Sequence, residues 1–79
     1  MNANTKTIKI NKDEITIEKV EIPFDKNTSI TEIFVEFWQN GVDNIWSEIF
    51  KSEDDANAFI VEFLICGNND KAYRKVMEK

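Results

Sequence analysis

The sequence predicts an α+β fold, a β-hairpin over residues 5–22 packed on a small layer of three to four short helices over residues 29–79, within one domain spanning 1–79. Three observations lead there. Apolar residues alternate with polar ones up to Ile22. From Ile30 onward they recur at helical spacing. Helix start and stop signals then punctuate the rest of the chain.

Thr5 to Ile10 places Ile8 and Ile10 on one strand face, and Ile15, Ile17, Val20 and Ile22 continue the pattern. Asn11-Lys12-Asp13 between them reads as a tight turn. Pro23 ends the hairpin because it cannot donate to a ladder, and 24–28 is a loop of turn formers. Ile30, Ile33, Phe34, Phe37 and Trp38 follow the i, i+3, i+4, i+7, i+8 spacing of one helix face, and Ser29 with Glu32 forms a capping box. Gly41 suits a left-handed C′ position with Val42 folding back on Phe37. The same residues also suit a strand–Asn-Gly–strand hairpin, since Phe, Val, Trp and Ile favour strands. Asp43 caps a second helix carrying the i, i+4 pairs Ile45/Ile49 and Trp46/Phe50.

Ser52-Glu53-Asp54-Asp55 opens a third helix, with a cap and three acids on the positive end of the dipole. Ala56, Phe59, Ile60, Phe63 and Leu64 form its main stripe, widened by Val61 and Ile65, so this helix is expected to be the most buried. The run 58–66 also has the length of a buried strand. Gly67 stops it, Asn68-Asn69 turns, and residues 70–79 make a last helix with Ala72, Tyr73, Val76 and Met77 inward.

Composition narrows the function classes. The chain of 79 residues has no histidine, two glycines and one cysteine. The commonest general base and metal ligand is missing, and so are a phosphate loop and any Cys-x-x-Cys knuckle. Ser29 and Ser52 are explained by capping. Glu53 to Asp55 lacks the alternating ligands and central Gly of a calcium loop. These absences argue against an enzyme and imply no cofactor and no metal. Cys66, flanked by Phe63, Leu64 and Ile65, reads as a buried inert thiol in a reducing compartment. No apolar N-terminal leader and no membrane-length apolar run is visible, so the expected location is cytoplasmic, in the host cell if a phage encodes the chain.

Charge is the informative signal. The net charge is −5, yet residues 27–70 carry nine acids against Lys51 alone. An anionic body repels nucleic acid and attracts basic protein surfaces. On a helix, Glu32 and Glu36 lie one turn apart, about 5–6 Å between Cβ atoms, a pitch that imitates successive phosphates. Asp43, Glu48, Glu53, Asp54 and Asp55 extend the negative surface. Trp38 and Trp46 face either the core or a partner's groove. Together these nine residues are the candidate partner-binding set, with no direct nucleic-acid or membrane contact expected and a homodimer open. Solubilisation alone also explains an acidic face, and the short basic stretch 71–79 reads as a solvated helix face.

Size, acidity and the lack of catalytic residues resemble the small phage-encoded anti-CRISPR and anti-defence inhibitors. Asn27, Ser29-Ile30-Thr31, Ile33, Phe34, Val35 and then Gly41 are similar to a segment of the small acidic type II-A anti-CRISPR proteins that block the CRISPR effector nuclease. The resemblance implies a hairpin whose turn acids contact the PAM-reading region. Asp43, two positions after Gly41, stands where one such acid falls, and Asn40 replaces another. The implied function is a non-enzymatic inhibitor filling an effector's nucleic-acid groove. Its rivals are an antitoxin or immunity protein neutralising a basic toxin, and a virion-assembly accessory protein.

Overall fold

A computed structural model describes residues 2–78, with side chains from Asn4 onward. The order is β1 (Asn2–Ile10), β2 (Asp13–Pro23), β3 (Ser29–Gln39), β4 (Asp43–Phe50), α1 (Glu53–Cys66) and α2 (Asn69–Met77). The fold is α+β. The strands form one antiparallel meander in sequence order, and both helices pack on one of its faces. The shortest dimension is 15 Å, about one sheet plus one helical layer.

The N-terminal hairpin forms as expected and is longer, with Ile8 opposite Ile15 and Ile10 opposite Asp13. Asn11 takes φ 57° in the turn, a conformation Asn tolerates. The loop 24–28 is held by Asp25, whose carboxylate accepts the N–H groups of Asn27 (2.8 Å) and Thr28 (3.0 Å).

The helical expectation for 29–50 is overturned: both segments are strands, so the described residues form two helices rather than three or four. Ser29 pairs with Pro23 across β2–β3 and caps nothing. Asp43 opens β4 opposite Gln39. The physical discriminator is Val35. A helix stripe through Ile30, Ile33, Phe34, Phe37 and Trp38 turns Val35 away, whereas here Val35 is fully buried beside Ile33, as period two requires. Pairing along nearly all of β2 satisfies the backbone of β3, a long-range gain that helical spacing cannot register. The Asn40-Gly41 turn has φ 56° and 74° and closes with Val42 N–H donating to Gln39 O at 3.1 Å. Positive φ at both central residues gives the primed turn whose twist matches a hairpin. Val42 is exposed rather than folded onto Phe37.

Phe37 pairs with Trp46 but Trp38 pairs with Asn44, so Ile45 is an extra residue on β4. This bulge brings Trp46, Glu48 and Phe50 onto the face of Ile33, Val35 and Phe37. Against that face α1 packs Ala56, Phe59 and Ile60, and α2 packs Ala72 and Val76. Phe37, Trp46, Phe59 and Phe63 interlock, with Trp46 edge-on to Phe59 at 5.3 Å and stacked on Phe37 at 5.7 Å. Aromatic contacts of this kind add about 0.5–1.5 kcal/mol each beyond area.

α1 begins and ends where the sequence places it. Asp55 N–H donates to Ser52 Oγ at 3.1 Å, and Gly67 (φ 70°) donates to Phe63 O at 2.7 Å. Asn68 caps α2 by accepting from Lys71 N–H at 2.9 Å. Three expectations fail here. α1 is not the most buried element: Val61, Leu64 and Ile65 are exposed, because a single sheet covers only one side of it. Cys66 is likewise exposed, beyond the last covered turn. Met77 also points outward while Ala72 and Val76 are buried.

Candidate functional site: an acidic open sheet face

The outer face of the sheet carries no helix. Strand parity assigns it Glu14, Thr16, Glu18, Val20 and Ile22 from β2, and Ile30, Glu32, Phe34, Glu36 and Trp38 from β3. Glu18 lies opposite Phe34, hence diagonal to both Glu32 and Glu36. Glu14 lies opposite Trp38, diagonal to Glu36. The four carboxylates thus form a zigzag, Glu14–Glu36–Glu18–Glu32. Diagonal neighbours across an antiparallel pair are about 7–8 Å apart. Along β3 itself, Glu32 and Glu36 are about 13 Å apart at strand rise, so the one-turn pitch expected for a helix is replaced by a cross-strand one.

The surroundings order this face. Trp38 is half-buried, and its Nε1–H donates to Thr16 Oγ1 at 3.1 Å, laying the indole across β2. Ser47 Oγ donates to Glu36 at 3.3 Å. Lys9 approaches Glu14 at 3.9 Å and Lys51 approaches Glu32 at 3.5 Å. Both lysine side chains are largely solvated, so these pairs are weak. Among the described residues, the two central acids, Glu18 and Glu36, have no ion-pair partner. At the turn end, Asp13 accepts the N–H of Asn40 at 2.9 Å, tying the β3–β4 turn to the start of β2. Asp43 is exposed at that same end.

The structure therefore groups Glu32, Glu36 and Trp38, sets Asp43 at the rim, and separates the rest of the expected set. Trp46 is part of the aromatic core. Glu48 lies on the helix-covered face opposite Val35, where burial and then the nearby Asp70 carboxylate push its pKa up, partly offset by a hydrogen bond from Asn69. Glu53, Asp54 and Asp55 sit in the first turn of α1, with Glu53 3.6 Å from Lys19. Glu14 and Glu18 complete the face and were missed. Their signal was the alternation Glu14-Ile15-Thr16-Ile17-Glu18, whose polar parity faces outward.

A cleft of about 450 Å³ lies on the opposite side, between β1, β2 and α1, with Lys6, Lys19, Glu53 and Asn57 around an Ile17–Ile33–Ala56 floor. It is no part of the acidic face, and its Lys19 is already engaged by Glu53. Among the described residues no three carboxylates or thiols converge as a metal site would require, and no helix is long and apolar enough to cross a membrane. The open face thus presents spaced carboxylates around an indole held by Thr16. No family model, curated protein or solved structure matches this chain.

Proposed function

We propose that the protein is a non-enzymatic inhibitor that binds a basic protein surface through the open face of its sheet, and that this surface is the nucleic-acid groove of a CRISPR effector nuclease. The observation that carries the reading is the zigzag of Glu14, Glu36, Glu18 and Glu32 with Trp38 fixed among them. The spacing of these carboxylates, about 7–8 Å, suits lysines and arginines set to receive a phosphate backbone. Two of the acids are uncompensated, so complementary charge gains most at the centre of the face. Trp38, half-buried and oriented by Thr16, is the natural aromatic anchor. The β3–β4 hairpin, with Asp43 beside its turn, also accords with the arrangement that the anti-CRISPR resemblance implies.

The test is titration of the protein into a type II effector assembled on its guide RNA, with readout of target-duplex binding and cleavage. Stoichiometric loss of both is expected, weakening as salt screens exposed charge over about 8 Å. Glu18→Lys with Glu36→Lys should abolish inhibition with the far-ultraviolet spectrum unchanged, while Glu78→Lys leaves it intact. An effector that cleaves normally in a large excess of the protein, or inhibition indifferent to both salt and the double reversal, refutes the reading.

A further inference from the structure

The side of α1 facing away from the sheet is apolar where a two-layer fold leaves it open to water. Val61 is 55% exposed, Leu64 52% and Ile65 75%. With the exposed Asp54 and Ala58, Val61 and Ile65 form a seam, Asp54–Ala58–Val61–Ile65, at spacings of four, three and four. That is the 3.5-residue repeat by which one helix packs along another. α1 ends just past the seam, where Gly67 (φ 70°) turns the chain into Asn68, the cap of α2. The ends of the seam differ in charge. Asp54 marks its start in the acidic first turn of α1. Past its finish, Cys66 and Asn68 border a shallow hollow with Asp70, Lys71 and Arg74, where the two cations outnumber the one acid.

We propose that α1 pairs antiparallel with α1 of a second copy of this chain, about a twofold axis near Val61. Asp54 lies seven residues before Val61, and α1 ends at Cys66, five after it. The twofold therefore sets Asp54 of each copy past the C-terminal end of the other's α1, toward the start of α2 with its Asp70, Lys71 and Arg74. A parallel pairing would instead oppose acid to acid and base to base. The apolar centre, Val61 with Ala58 and Ile65 on either side, meets itself, as an isologous interface requires. Ala58 lets the backbones approach, and the helix dipoles oppose. The resulting layers run sheet–helix–helix–sheet. Both acidic faces then point outward on opposite sides, so the dimer is bivalent toward any partner of that face. The pairing is independent of what the acidic face binds.

Sedimentation equilibrium over a wide concentration range tests this on the full chain. A reversible monomer–dimer equilibrium is expected. Val61→Lys with Ile65→Lys should weaken it by roughly tenfold or more while circular dichroism stays unchanged, since both side chains are already in water. Asp54→Lys should weaken it severalfold, and adding Lys71→Glu with Arg74→Glu should restore it. Val61→Cys in a Cys66→Ser background should form a disulfide-linked dimer under mild oxidation, which reports the twofold independently of stability. A monomer at every concentration, a dimer indifferent to the lysine substitutions, or no rescue by the charge exchange overturns the proposal.

Discussion

Phe59→Ala is the sharpest perturbation of this fold. Phe59 is fully buried at the junction of α1 with the sheet, its ring 5.1 Å from Phe50, 5.3 Å from Trp46 and 6.4 Å from Phe63. Truncating a buried Phe costs about 3–5 kcal/mol through lost transfer energy and the cavity left behind. A domain of this length has only roughly 4–12 kcal/mol of total stability. The variant should therefore lose a large fraction of it, with Tm falling by about 12–40 °C. The matched control is Phe24→Ala, the same truncation in the β2–β3 loop at a side chain 72% exposed, where the change should stay within about 0.5 kcal/mol. Urea titration followed by tryptophan fluorescence reads both, because Trp46 lies against Phe59. A loss below about 1 kcal/mol for Phe59→Ala, or equal losses for the two variants, would show that α1 does not pack its Phe59 face on the sheet.

Two further outcomes follow from caps and charge. Ser52→Ala should destabilise by about 0.5–2 kcal/mol because it removes the bond to Asp55 N–H, whereas Ser29→Ala should stay within about 0.5 kcal/mol, which denaturation midpoints will decide. Glu48 has a folded-state pKa above its unfolded one, so the folded protein binds the proton more tightly. Stability should then fall as pH rises from the unfolded pKa through the folded one. Glu48→Gln should remove that slope and raise stability at neutral pH by less than about 1 kcal/mol, since the group is mostly solvated. Comparing urea titrations at pH 4 and pH 7 checks the sign.

What the sequence determined by itself was written in short-range contacts. The hairpin turn at Asn11, the loop closed by Asp25, the cap at Ser52 and the stop at Gly67 each rest on residues within four of one another, so a single sequence suffices to place them. Residues 29–50 differ because Ile33 and Phe37 share a face in both a helix and a strand. Only β2, paired residue by residue with β3, decides between them. The acidic face was legible in part: Glu32 and Glu36 were visible as one polar side, whereas helical spacing set Trp38 on the apolar stripe. Glu14 and Glu18 joined it only through that pairing.

The two tryptophans show most directly what tertiary structure decided. Trp38 and Trp46 have the same parity, and in a regular hairpin closed by Gln39 opposite Asp43 both would lie on the outer face. The bulge at Ile45 shifts β4 by one residue. A one-residue shift exchanges every side chain's face, so Trp46 goes into the core and Trp38 remains outside. Which side of α1 is dry was settled in the same way. Its apolar residues nearly encircle the helix, and the sheet supplies one surface to cover them.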